Sequence, residues 1–125
     1  MQIISTQEAP QAIGPYSQAV NIGDLIFTSG QIPLNVDGSE DKINADIKTQ
    51  STQVLNNLQA VLQGAGSDLN KVIKTTVFLA DMGDFAELNE VYASFFKDHK
   101  PARSCIAVKT LPKNVKVEVE AIATK

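Results

Sequence analysis

The chain has 125 residues, a formal net charge of −3, one histidine, one cysteine, and eleven basic residues spread without a run. That length fits a single domain over residues 1–125. The lone cysteine excludes an internal disulfide or a thiolate zinc site, and the dispersed positive charge excludes a strong pull toward a polyanion, so nucleic acid is not an expected partner. No stretch reaches the length of a membrane span and the opening MQIISTQEAP is too polar for a secretory signal, so a soluble cytoplasmic protein with no membrane contact is expected.

In chain order, Ser17 to Ile22 and Leu25 to Gln31 alternate as short strands around Gly23-Asp24, a pair suited to a hairpin turn. The polar stretch NVDGSEDKINAD then reads as an exposed loop ending in Asp46, a good helix N-cap. From Ile47 the apolar residues 47, 54, 55, 58, 61 and 62 form one stripe of a helix that Gly64 and Gly66 stop. Lys71 to Leu79 is β-branched and aromatic, as befits a strand inside a sheet. Asp84-Phe85-Ala86-Glu87 fits a capping box that opens a second helix, with Phe85, Leu88, Val91, Tyr92, Phe95 and Phe96 on its inner face.

Two alternating runs close the chain, Ala102 to Val108 and Val115 to Ala123, joined through LPKN. If Ile106 and the valines 115, 117 and 119 face the helices, then Arg103, Cys105, Glu118 and Glu120 share the opposite face. Two helices cover only one face of such an α+β sheet, so the other face meets water or another subunit.

Arg103 is the single arginine. A guanidinium grips a carboxylate through a rigid fork, which a lysine cannot do. Two readings stay open and can be combined: a cross-strand ion pair with Glu118 or Glu120, and an anchor for a ligand carboxylate. Nothing in the sequence ties His99 to Cys105 as a nucleophilic pair, so His99 reads as a solvated residue near a helix C-terminus and Cys105 as a core or site-lining side chain. Asn89, in line with Phe85, Tyr92 and Phe96, must bond something if partly buried. No metal cluster, phosphate loop or dinucleotide motif is present, and no metal or cofactor is expected.

AIGPYSQA at 12 to 19, TSGQIP at 28 to 33, KTTVFLADM at 74 to 82, NEVY in the second helix, and above all PARSCIAV with the trailing VKVEVEAIA resemble the RidA/YjgF family of reactive-intermediate deaminases along the whole chain. The resemblance implies a fold like Bacillus chorismate mutase, a mixed sheet with two helices packed on one face, assembled as a homotrimer with its sites between subunits. It implies that Arg103 holds a substrate carboxylate, that Glu118 positions water or transfers a proton, and that Cys105, Tyr16, Ser29 and Asn89 line the cleft. The implied partners are small imino and enamino acids, such as 2-aminoacrylate released by pyridoxal-phosphate enzymes, and the implied products are a 2-keto acid and ammonia. The other readings are a non-enzymatic ligand-binding or regulatory protein of amino-acid or purine metabolism and, behind it, a ribonuclease.

Overall fold

A two-residue turn at Gly23-Asp24, with Gly23 at φ 57°, folds the first hairpin and fixes its register, pairing Ile22 with Leu25 and Ala19 with Thr28. The computed structural model describes residues 1–125. The strands are β1 (Gln2–Ile4), β2 (Ala19–Ile22), β3 (Leu25–Thr28), β4 (Val72–Leu79), β5 (Ala102–Ala107) and β6 (Val117–Thr124). The helices are α1 (Ile47–Gly64) and α2 (Phe85–Phe96). One six-stranded sheet results, in the order β1-β2-β3-β6-β4-β5, antiparallel except for the parallel pair β4–β5 that α2 connects. The fold is therefore α+β with a mixed sheet. No helix is long and apolar enough to cross a membrane.

Helix α1 begins where expected. Asp46 accepts the amide of Thr49 at 2.8 Å, and the helix ends in a Schellman arrangement: Gly66, at φ 83°, donates to Gln63 and Ser67 donates to Leu62. Its stripe, Val54, Leu55, Leu58, Val61 and Leu62, is fully buried against Ile26, Val77, Val119 and Ala123 of the sheet. That shared core puts both helices on one face.

Helix α2 corrects the expected capping box. Asp84 makes no side-chain cap bond, and Asp81 caps the preceding turn by accepting the Gly83 amide at 2.8 Å. The Met82–Asp84 turn places Asp84 at φ −87°, ψ 0°, away from the extended backbone that points a capping carboxylate at the third amide. His99 also departs from a merely solvated residue. Its Nε2 donates to the carbonyl of Val72 at 2.7 Å and its ring lies against Phe96, so it ties the end of α2 to the start of β4.

The faces of the last strands are the main correction. Cys105 pairs with Val77 and Val77 with Val119, both fully buried under the helices, so Arg103 and Cys105 lie on the helix face. Ser104, Ile106, Glu118 and Glu120 lie on the open face, along cross-strand rows in which Phe78 joins Ile106 to Glu118 and Thr76 joins Ser104 to Glu120. Arg103 therefore does not share a face with the glutamates. The cause is that the open face is itself apolar: Ile3, Val20, Phe27 and Ile122 form one continuous cross-strand row on it. Apolar character alone does not mark the helix side.

Candidate functional site

Arg103 sits in β5, opposite Thr75 of β4, and reaches across to α2. Its Nη1 donates to Oδ1 of Asn89 at 2.8 Å, and its guanidinium carbon lies 4.8 Å from the ring centroid of Tyr92 and 5.4 Å from that of Phe85. Phe85, Asn89 and Tyr92 recur at helical spacing along one ridge of α2, so a short stretch of one helix holds the guanidinium through three side chains. Tyr92 is itself fixed by a 2.7 Å hydrogen bond between its hydroxyl and that of the fully buried Thr75.

No carboxylate pairs with this arginine. The ion pairs of the chain are Lys48–Glu90 and Lys113–Glu40, so the cross-strand ion pair with Glu118 or Glu120 does not form. Arg103 keeps its whole charge and its remaining donors. Cys105, two residues on, is half-buried and unbridged. Burial pushes its thiol above the ordinary value and the Arg103 charge opposes this, which leaves a poor nucleophile.

Glu118 belongs to a second group on the open face. Segment 28–31 runs beside β6, fixed by reciprocal bonds between Gln31 and Val119 at 2.9 and 3.2 Å. Gly30 lies beneath the Glu118 carboxylate so closely that a Cβ there would fall 2.6 Å from Oε2. The carboxylate occupies the space a side chain at Gly30 would fill; a glycine after a strand is the sequence signal for such close approach. Burial, and behind it the charge of Glu120, raises the pKa of Glu118 above the ordinary 4.5. Phe78, its cross-strand neighbour, supplies apolar surface on one side.

Tyr16 and Ser29 lie about the segment whose Gly30 meets Glu118. Tyr16 lines a cavity together with Gly30 and Gln31, and its hydroxyl accepts the Ile13 amide at 3.4 Å. Ser29 donates its hydroxyl to the carbonyl of Ser17 at 2.5 Å, which fastens the AIGPYSQA loop to the end of β3. The buried amide of Gln18 fastens the same loop from below, bonding Thr6 on both sides and the carbonyl of Pro10. Thus the six expected residues fall into two groups: Arg103, Asn89 and Cys105 on the helix side, and Ser29 and Glu118 on the open face, with Tyr16 at the cavity beside Gly30. Within one chain the sheet lies between them. No three His, Cys, Asp or Glu side chains come together that could hold a metal ion.

Comparison with known proteins places this architecture. The family model described as Endoribonuclease L-PSP matches residues 6–125. A RutC family protein of Pyrococcus horikoshii is 52% identical over 124 residues, covering 99% of this chain and 98% of that protein. The 2-iminobutanoate/2-iminopropanoate deaminase of Escherichia coli is 48% identical over 125 residues, covering 98% and 96%. Among solved structures, E. coli TdcF with bound serine superposes with a TM-score of 0.93 at 48% identity, over 100% of this chain and 99% of that one.

Proposed function

This chain belongs to the Endoribonuclease L-PSP family, the RidA/YjgF family that its motifs resemble, and from that premise we propose that it is an imine hydrolase acting on small 2-imino acids. The observation that carries the reading is the unpaired guanidinium of Arg103, held by a neutral amide and two aromatic rings. A cation kept in place without a counter-carboxylate is suited to receive one from a ligand. Charge-assisted bonds of this type are worth about 1.5–3 kcal/mol, enough to select an imino acid over a neutral imine. A relative solved with bound serine, and another named for 2-iminobutanoate and 2-iminopropanoate, support a small amino-acid-like ligand.

Because Arg103 and Glu118 lie on opposite faces of one sheet, the reading assigns them to one cleft by way of two copies. Arg103, Asn89 and Cys105 come from one, and Glu118, Tyr16 and Ser29 from its neighbour in a homotrimer. The exposed apolar row of the open face, with Ile3 at 64% and Phe27 at 38% exposure, supports such burial.

The chemistry asks little of the protein. A 2-aminoacrylate tautomerises to its imine, and the imine carbon accepts water. Arg103 holds the carboxylate in register. Protonated Glu118 gives its proton to the imine nitrogen while taking one from the attacking water, forming a carbinolamine. As the C–N bond breaks, the same carboxyl protonates the departing nitrogen and recovers the hydroxyl proton, leaving a 2-keto acid and ammonia. Such acid–base assistance contributes roughly 10²- to 10⁴-fold. A ribonuclease reading lacks electrostatic support, since Glu118 and Glu120 occupy the open face and the net charge is −3.

The test is a serine or threonine dehydratase reaction with this protein added. Keto-acid release should accelerate, and Arg103→Ala should remove the acceleration by about 10²-fold or more. An assembled Arg103→Ala protein that works as well as the original would refute the anchor.

A further inference from the structure

The turn that follows α2 holds its first residue in an unusual state. Lys97 stands at φ 56°, ψ −121°, while its amide donates to Ala93 in the last helical bond. Glycine adopts that backbone freely, and a residue with a Cβ holds it under strain. The turn is pinned on its other side by His99, whose amide donates to Phe96 and whose ring donates to Val72.

The folded-back turn carries Lys97 and Lys100 to the same groove as Arg103. That groove has a volume of about 360 Å³ and is walled by these three cations, His99, Asn89 and Tyr92 among others, with no carboxylate in its lining. Neither lysine is in an ion pair, since the pairs of the chain lie elsewhere. The volume falls in the range of about 300–1,000 Å³ typical of small-molecule sites. It leaves room beyond a carboxylate seated on Arg103.

We propose that the groove is a second-anion subsite in which Lys97 and Lys100 receive the distal carboxylate of a ligand anchored by Arg103. The chain would then take 2-imino acids of the dicarboxylic class, such as 2-iminosuccinate and 2-iminoglutarate. The inference rests on Arg103 as the carboxylate anchor and deepens the hydrolase reading by naming its substrate class. The reaction keeps the same balance: water adds across the C=N bond, and ammonia leaves with a 2-oxo dicarboxylate as co-product. The strain at Lys97 fits this use, because a glycine would close the helix at lower energy but bring no charge to the groove.

The experiment separates binding from catalysis. Calorimetric titration with 2-oxoglutarate and 2-oxobutanoate, two stable keto acids, should show the first bound at least about tenfold more tightly by the assembled wild-type protein. Lys97→Gly with Lys100→Gln should bring the two affinities within about twofold of each other. Lys97→Gly alone relieves the backbone and should fold at least as well as wild type, so an intermediate loss of preference in that variant guards against a folding artefact. Equal wild-type affinities would overturn the subsite and leave the lysines as partners of the helix terminus alone; so would a preference that survives the double substitution. Imine hydrolysis measured on the same samples reports on the hydrolase reading separately. A protein that prefers 2-oxoglutarate but hydrolyses no imine would refute that reading while keeping the subsite.

Discussion

Asn89 is the residue whose chemistry decides what Arg103 can do. An amide oxygen orients the guanidinium at 2.8 Å without neutralising it; a carboxylate in the same place would orient it equally well and occupy it. Asn89→Asp is nearly isosteric, so the fold should survive, but the carboxylate it introduces would pair with Arg103 and compete with any ligand acid. Keto-acid affinity should drop about tenfold or more, read by titration, with little change in melting temperature. An unchanged affinity would show that the ligand does not depend on a free Arg103. Glu118 makes the complementary case. Burial and the Glu120 charge raise its pKa from 4.5, so the fold favours its protonated form. The stability this contributes is present below the unfolded value and is lost as pH rises through the raised folded value. Activity that needs the proton should fall over that same rise, and Glu118→Gln should abolish activity while matching or exceeding wild-type stability at neutral pH. A flat wild-type pH–rate profile from about pH 5 to 8 would count against the acid role. Arg103 and Glu118 stood out in the sequence as candidates because one is unique in composition and both sit in motifs that resemble the family's. Their separation by the sheet was not legible, because it depends on the register of β5 against β4.

At the level of the elements, the two helix starts look alike as strings and differ in backbone. Asp46 is extended, at φ −67°, ψ 167°, and accepts the Thr49 amide. Asp84 is not extended and its side chain accepts nothing from α2. Asp46→Ala should therefore lower the urea midpoint clearly, and Asp84→Ala should leave it nearly unchanged. Equal losses would mean that charge near the helix dipole matters more than the cap bond. The same comparison shows what local sequence specifies. The α1 stripe, its cap and its glycine stop were legible because 3.6-residue periodicity and capping chemistry are local. β1 was missed because three residues in a polar stretch give no pattern, and its existence depends on pairing with β2. The face of β5 was inverted because it is an edge strand whose two sides are both mixed, Arg103 and Cys105 on one and Ser104 and Ile106 on the other.

For the whole molecule, the placement of the two groups makes a quantitative demand. If each cleft takes Arg103 from one copy and Glu118 from the next, an Arg103→Ala protomer still offers an intact Glu118, and a Glu118→Gln protomer an intact Arg103. Each pure variant assembles only broken clefts. In an equal mixture that has exchanged subunits at random, a cleft is whole when the first position is filled by one variant and the second by the other. That occurs for about one cleft in four, so about a quarter of wild-type activity should appear on mixing. If both groups acted within a single chain, no mixture of the two could exceed its parents, because every chain would lack one of them. Native mass spectrometry on the exchanged sample verifies that mixed oligomers have formed, so a mixture that stays inactive despite exchange would sink the shared cleft. In the proposed assembly the apolar row from Ile3 to Ile122 on the open face would be the surface that copies bury, and charge at its centre offers the complementary perturbation. Phe27→Lys would place an ammonium within that row, and should separate the copies and abolish activity together while leaving α1 and its core, on the other side of the sheet, intact.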